Sequence, residues 1–257
     1  MFIVKYLKSE YIDRTISGES IRIGTFKYFR NIEDSSLVDK NEGAGKFLIH
    51  GNKFSTDLLN PFLVQKLPED FIIEFEAGKG TLIIDDVIVN MFVFCTTYVD
   101  DIEDIEKIRK RRFMDKDSYL CIADENTFIE KCSQNLLHQI RINHPDEIKY
   151  IYNWSGKVDY TDFPKKTDID YNDFVQKGLP LALNLRLLFE KPVKYEPEQE
   201  FRFVWIITNK PIESDHGLYS IEQDYCDVQI EPNGCISKDP IEFISSPKSI
   251  SVWDLLK

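Results

Sequence analysis

The sequence predicts an α+β chain of mixed, mostly antiparallel sheets with peripheral helices. Strand-like and helix-like segments mix without a regular βαβ period, which argues against a doubly wound parallel sheet. Strand candidates crowd together at 47–50, 71–76, 81–84 and 87–97, with Gly78 and Gly80 supplying one turn and Asp85-Asp86 a second. No repeat and no flexible Gly/Ser linker interrupts the 257 residues. A single domain over 1–257 is therefore expected, with the charged connector 160–173 as a candidate seam between subdomains.

The start, Met1-Phe2-Ile3-Val4-Lys5-Tyr6, lacks the basic flank, apolar stretch and small-residue cleavage site of a signal peptide and reads as a first strand. Ser9 is placed to cap a short helix whose Tyr11, Ile12, Thr15 and Ile16 recur at helical spacing, with Gly18 as its stop. A strand over 21–26 and a long polar loop over 31–46 follow. The second half reads as a helix over 102–113, a strand over 118–123 and a helix over 124–140. Phe128, Ile129, Cys132, Leu136, Leu137 and Ile140 form the apolar stripe of that last helix. Strands are expected at 148–154 and 157–160, joined at Ser155-Gly156, and a helix over 181–189 stopped by Pro192. A long strand over 201–208 and shorter ones at 225–231 and 241–245 complete the chain.

Composition narrows the function. Aromatic residues make up 13% and charged residues 30%, which suits a soluble globular protein with a real core. The most apolar stretch, 81–98, is broken by Asp85, Asp86 and Asn90, so no membrane span is expected. The net charge of −12 argues against coating nucleic acid by bulk electrostatics, though not against a local basic patch at Lys107-Ile108-Arg109-Lys110-Arg111-Arg112. Acidic residues just before that run give the charge order a helix dipole favours. Five widely spaced cysteines and four scattered histidines indicate neither a disulfide framework nor a zinc site. A reducing cytoplasm is the expected compartment, and Cys95 and Cys121 read as small core residues.

Several chemical motifs are absent: the phosphate loop, the dinucleotide Gly-x-Gly-x-x-Gly, the Gly-x-Ser-x-Gly elbow and His-Glu-x-x-His. Gly43-Ala44-Gly45-Lys46 lacks the spacing of a phosphate loop. Three polar elements attached to strands remain: Lys5-Tyr6, the Thr96-Thr97 end of an apolar strand, and Glu198-Gln199-Glu200 leading into the long strand. Along an extended chain Glu198, Glu200 and Arg202 share one face, and Phe201, Phe203, Trp205 and Ile207 the other. The apolar face is core. The charged face must meet water, pair internally, or bind something, and a Glu200–Arg202 pair at a surface would be worth little.

In their order these elements resemble the ADP-ribosyltransferase superfamily: an Arg or His on an early strand, a Ser/Thr-containing strand, and a late Glu-x-Glu or Gln-x-Glu. Here Lys5 or Tyr6 stands where the Arg or His is expected. A closer resemblance runs through Lys5-Tyr6, Ile21-Arg22-Ile23-Gly24-Thr25-Phe26, Tyr28-Phe29-Arg30, Glu33, Asp39, Glu42-Gly43, Phe94-Cys95-Thr96-Thr97 and Tyr195-x-x-Glu198-x-Glu200-x-Arg202. It is to an uncharacterised bacterial and phage family marked by that late Tyr-x-x-Glu-x-Glu-x-Arg, some of whose members are suspected to act in phage conflict. The resemblance implies an ADP-ribosyltransferase-like domain, NAD as co-substrate, and an acceptor that is a protein or a nucleic acid, in a toxin or an anti-phage defence effector. Glu200 would stabilise positive charge on the ribose and Glu198 would serve the acceptor. Thr96 or Thr97 would position ribose or carboxylate, and Tyr6, with Lys5 beside it, would meet the nicotinamide.

Two other readings stay open. The chain could be a non-catalytic sensor or protein-interaction protein of a phage-defence system, with its acidity and tyrosines serving a partner. The loop over 30–42, with Arg30, Glu33, Asp34, Asp39 and Glu42, could close over a ligand, bind a divalent cation as in a nuclease, or be solvated.

Overall fold

The computed structural model describes residues 1–17, 20–31, 44–51, 72–76, 79–88, 90–143, 150–161, 166–170, 172, 181–208, 223–230 and 235–244. Gly18, Gly43, Gly78 and the acids Glu33, Asp34, Asp39 and Glu42 lie outside them. The architecture is α+β with mostly antiparallel strand pairing.

The strands are β1 (Phe2–Leu7), β2 (Ile21–Thr25), β3 (Ala44–Gly51), β4 (Ile72–Glu76), β5 (Lys79–Ile88), β6 (Phe92–Val99), β7 (Ser118–Ile122), β8 (Tyr150–Lys157), β9 (Asp159–Thr161), β10 (Lys166–Asp170), β11 (Glu190–Pro192), β12 (Glu200–Thr208), β13 (Tyr225–Val228) and β14 (Ile236–Ser237). The helices are α1 (Ser9–Ile16), α2 (Phe26–Asn31), α3 (Ile102–Arg112), α4 (Glu125–Asn143) and α5 (Leu181–Phe189), with a 3-10 turn over Val193–Glu198. Among the described residues no helix is long and apolar enough to cross a membrane.

The main sheet runs β8-β12-β6-β1-β7-β14, and β6 also pairs with β2, which carries β13. One edge of β6 is taken by β12 from Thr97↔Glu200 to Phe92↔Trp205. Its other edge is shared. β1 leaves it at Val4↔Thr97, and β2 joins it only at Gly24↔Val93. The sheet therefore forks beside Phe94, Cys95 and Thr96, three residues after the start of β1. A second sheet runs β10-β3-β5-β4, and β9 pairs in parallel with β11.

Alternation along the strands sorts the core. Phe201, Phe203 and Trp205 join Ile3, Phe92 and Phe94 against the α4 stripe of Phe128, Cys132, Leu136 and Ile140. On the opposite face Val93, Val204 and Ile206 pack on Phe26 of α2 and on Leu185, Leu188 and Phe189 of α5. Phe2, Val4, Tyr6 and Val99 pack on Ile105 of α3. Helices cover both faces, so β12 is buried on both.

Local chemistry moved several boundaries. The N–H of Ser9 donates to Asp117 Oδ1 at 2.6 Å and its hydroxyl to Oδ2 at 2.8 Å, so a distant carboxylate caps α1 and Ser9 is its first residue. Asp101 caps α3, accepting from Glu103 N at 2.9 Å, and α3 runs from acidic to basic as its dipole favours. Asp85-Asp86 makes no turn. The β3–β5 register shifts so that these two residues oppose Lys46 alone, a bulge within a continuous strand. Ser155-Gly156 makes no turn either, since both residues are laddered to β12 opposite Phe203 and Arg202. The connector 160–173 holds β10, and the strand expected at 241–245 is reduced to a bridge between Ile244 and Asp124.

Gly24 marks a close approach. A Cβ built there would lie 2.7 Å from Phe29 Cε2 and 2.9 Å from Tyr28 Cδ1, so the Tyr28 and Phe29 rings of α2 rest on bare backbone. Gly24→Ala is expected to lower stability by about 1–3 kcal/mol through overpacking, read by urea unfolding. A neutral or stabilising result would contradict that packing.

Candidate functional site

Glu200 opens β12 on the face it shares with Arg202, Val204 and Ile206, directly across from Thr97 of β6. The sequence pattern required this charged face to meet water, pair internally or bind. It pairs internally. Arg202 Nε donates to Glu200 Oε1 at 2.7 Å, and Arg202 Nη2 to Oε2 at 3.1 Å. Arg202 Nη1 donates to the Leu188 carbonyl at 2.6 Å, and its guanidinium lies 5.2 Å from the centre of the Phe26 ring. The Arg202 side chain is 0% exposed and that of Glu200 6%, so the expectation of a weak surface pair is corrected. The physical reason is that α5 and α2 close over this face.

Lys191 of β11 reaches the same carboxylate. Its Nζ donates to Glu200 Oε2 at 3.1 Å and to Glu198 Oε2 at 2.8 Å, and lies 4.7 Å from the Tyr195 ring. Glu198 does not extend β12 as the alternation implied. It ends the 3-10 turn, and Gln199 then adopts φ 47 before the strand begins. Lys191 nevertheless ties Glu198 and Glu200 together. The Glu200 N–H donates to the Tyr160 hydroxyl at 2.8 Å. Burial raises the Tyr160 pKa, against the opposing effect of that hydrogen bond.

Burial alone would also raise the Glu200 pKa. The Arg202 and Lys191 charges, the Arg202 hydrogen bonds and a hydrogen bond from the Cys95 thiol outweigh it, holding the carboxyl well below the usual range. Glu200 is therefore a buried carboxylate held in its ionised form.

The other predicted residues lie around this cluster or beside it. Lys5 sits at the fork of the sheet, where its Nζ donates to the Cys95 carbonyl at 2.7 Å and lies 4.9 Å from the Phe94 ring. It thereby serves a carbonyl on the shared edge of β6. Burial lowers the Lys5 pKa, and Cys95 and Glu200 partly restore it, so the fork and the carboxylate feel each other electrostatically. Thr97 is buried directly across from Glu200. Thr96 points to the opposite face, its Oγ1 donating to the Phe201 carbonyl at 2.7 Å. Tyr6 is corrected from ligand contact to core. Its hydroxyl donates to the Ile105 carbonyl at 2.9 Å, and its ring stacks on Phe113 at 4.6 Å, because α3 lies over that end of β1.

Lys191, Tyr160 and Cys95 escaped the sequence reading as members of the site. Cys95 was within reach of it, because Cys95 and Thr97 share a face at i and i+2. Lys191 precedes Pro192, which favours extended backbone but says nothing of what the side chain meets. Nothing local marks Tyr160. No protein-family model, no curated protein and no solved structure matches the chain.

Proposed function

We propose that this chain is an ADP-ribosyltransferase-like enzyme that takes NAD as co-substrate, with Glu200 as its central carboxylate. One observation supports this reading above the others. Lys5, Thr96-Thr97 and Glu200 lie far apart in the chain, yet their strands β1, β6 and β12 are consecutive neighbours in one sheet, with Glu198 at the end of the turn that leads into β12. The order early cation, hydroxyl strand, late carboxylates thus becomes a spatial order around a fork in that sheet.

In the proposed reaction the bond between ribose C1′ and the nicotinamide nitrogen breaks, and its electron pair leaves with neutral nicotinamide. The acceptor's lone pair forms the new bond to C1′, and the acceptor's proton passes to a base. Glu200, ionised and away from water, is suited to stabilise positive charge on the ribose. Glu198, with a side chain 26% exposed, is the carboxylate that can take the acceptor's proton. Thr97 lies across from Glu200, and Lys5 serves the Cys95 carbonyl at the fork. Tyr6 supports β1 from beneath α3.

A specific observation favours a second reading, a non-catalytic protein that keeps this cluster as structure. Arg202, Lys191 and Cys95 already occupy the Glu200 carboxylate. Titration with NAD separates the two. The enzymatic reading expects a saturable rise in melting temperature, from binding to the folded state alone, together with release of nicotinamide. No shift with NAD or its fragments, and no release, would favour the structural reading.

A further inference from the structure

We propose that Lys191 is an internal latch that occupies the Glu198–Glu200 carboxylates and must withdraw before the site can take a ligand's cationic group. The inference rests on the NAD reading above and adds its regulation.

The geometry distinguishes two cations at Glu200. Arg202 belongs to β12 itself, is fully buried, and is fixed a second time by the Leu188 carbonyl. It cannot leave without breaking the sheet's packing. Lys191, also buried, sits on the short strand β11, whose ladder among the described residues is Glu190↔Asp159, Lys191↔Tyr160 and Pro192↔Thr161. Between it and β12 lies the 3-10 turn Val193–Glu198, in which no residue is buried and where Val193, Lys194, Glu196 and Pro197 are exposed. Three-ten hydrogen bonds are poorly aligned, and an element with few buried contacts opens locally at low free energy.

The latch also matches the charge the site would receive. The two carboxylates are contacted directly by two cations, Arg202 and Lys191, with Lys5 acting on Glu200 from farther off. Removing the Lys191 ammonium takes one positive charge away from beside the buried Glu200. The nicotinamide ring of oxidised NAD carries one positive charge, and so does the ribosyl group as that ring departs. A monovalent organic cation can therefore replace Lys191 without changing the balance. A buried ion pair gains little net free energy over its desolvation, so exchanging one cation for another need not be opposed strongly.

Two measurements on Lys191→Ala test this against the full-length parent, with circular dichroism confirming that both are folded. The first does not depend on NAD. Ethylammonium chloride is expected to raise the melting temperature of Lys191→Ala in a saturable way, with no such rise for the parent or with ethanol in its place. Absence of that rise would overturn the latch, because the seat would then not accept an outside cation. The second is nicotinamide release, expected to be at least ten-fold faster in Lys191→Ala than in the parent. A folded variant releasing at or below a measurable parental rate would also overturn the latch while leaving the NAD reading standing. Ethylammonium rescue with no release by either protein would keep the exchangeable seat and reject NAD as what enters it.

Discussion

Arg202→Ala is expected to lower the stability of the chain by about 3–5 kcal/mol, the range for removing one partner of a buried ion pair. The variant leaves Glu200 desolvated with one of its two cations gone, and the Leu188 carbonyl loses its 2.6 Å donor. It also empties the volume above Phe26 that the guanidinium fills. Arg202→Lys is expected to recover only part of the loss, because an ammonium cannot bond both carboxylate oxygens and the carbonyl in that fixed plane. Urea unfolding with unchanged slope reads the effect. A loss below about 1 kcal/mol for Arg202→Ala would place the pair among exposed ones and contradict the burial described.

Glu200→Gln is expected to act on stability and on chemistry together. The amide is nearly isosteric, but it presents a neutral group to Arg202 and Lys191, leaving Arg202 without its buried counter-charge and Lys191 with Glu198 alone of the two carboxylates. Acid does the same by protonation, and the sign follows from the depressed pKa. The stability Glu200 contributes is complete above the unfolded carboxylate value of about 4.3 and is lost as pH falls from there towards the lower folded-state value. Glu200→Gln should therefore be less stable than the parent at neutral pH, and the difference should shrink as the pH is lowered below 4. In turnover, removing a carboxylate that stabilises charge in a dry site is expected to reduce the rate by about 10²–10³-fold. The two effects have different signatures, since lost stability can be matched by comparing equal amounts of folded protein.

Much of this architecture was legible in the chain. The alternation Phe201, Phe203, Trp205 announced a buried face, and it packs on the α4 stripe that the spacing of Phe128, Cys132, Leu136 and Ile140 marked out. The charge order of α3 was equally readable, because helix dipoles act within a turn or so of sequence. What local pattern could not carry was set by tertiary pairing. Asp85-Asp86 and Ser155-Gly156 look like turns, yet ladder bonds to β3 and β12 hold them extended. The role of Glu200 was legible as a question: the stripe had to meet water, pair or bind. The answer depended on Lys191, nine residues upstream across a 3-10 turn, and on α5 closing over the face. Tyr6 shows the reverse case, a residue placed beside the right strand whose hydroxyl was claimed by a helix a hundred residues on.

The central claim is that Glu200, brought beside the hydroxyl strand and the β1 fork, serves NAD chemistry. Nicotinamide release from NAD by the parent and by Glu200→Gln, compared at equal concentrations of folded protein at neutral pH, tests it most directly. The account predicts saturable release by the parent and a loss of about 100-fold or more in the variant. Release undiminished in Glu200→Gln would contradict it, as would no release by the parent or by the unlatched Lys191→Ala.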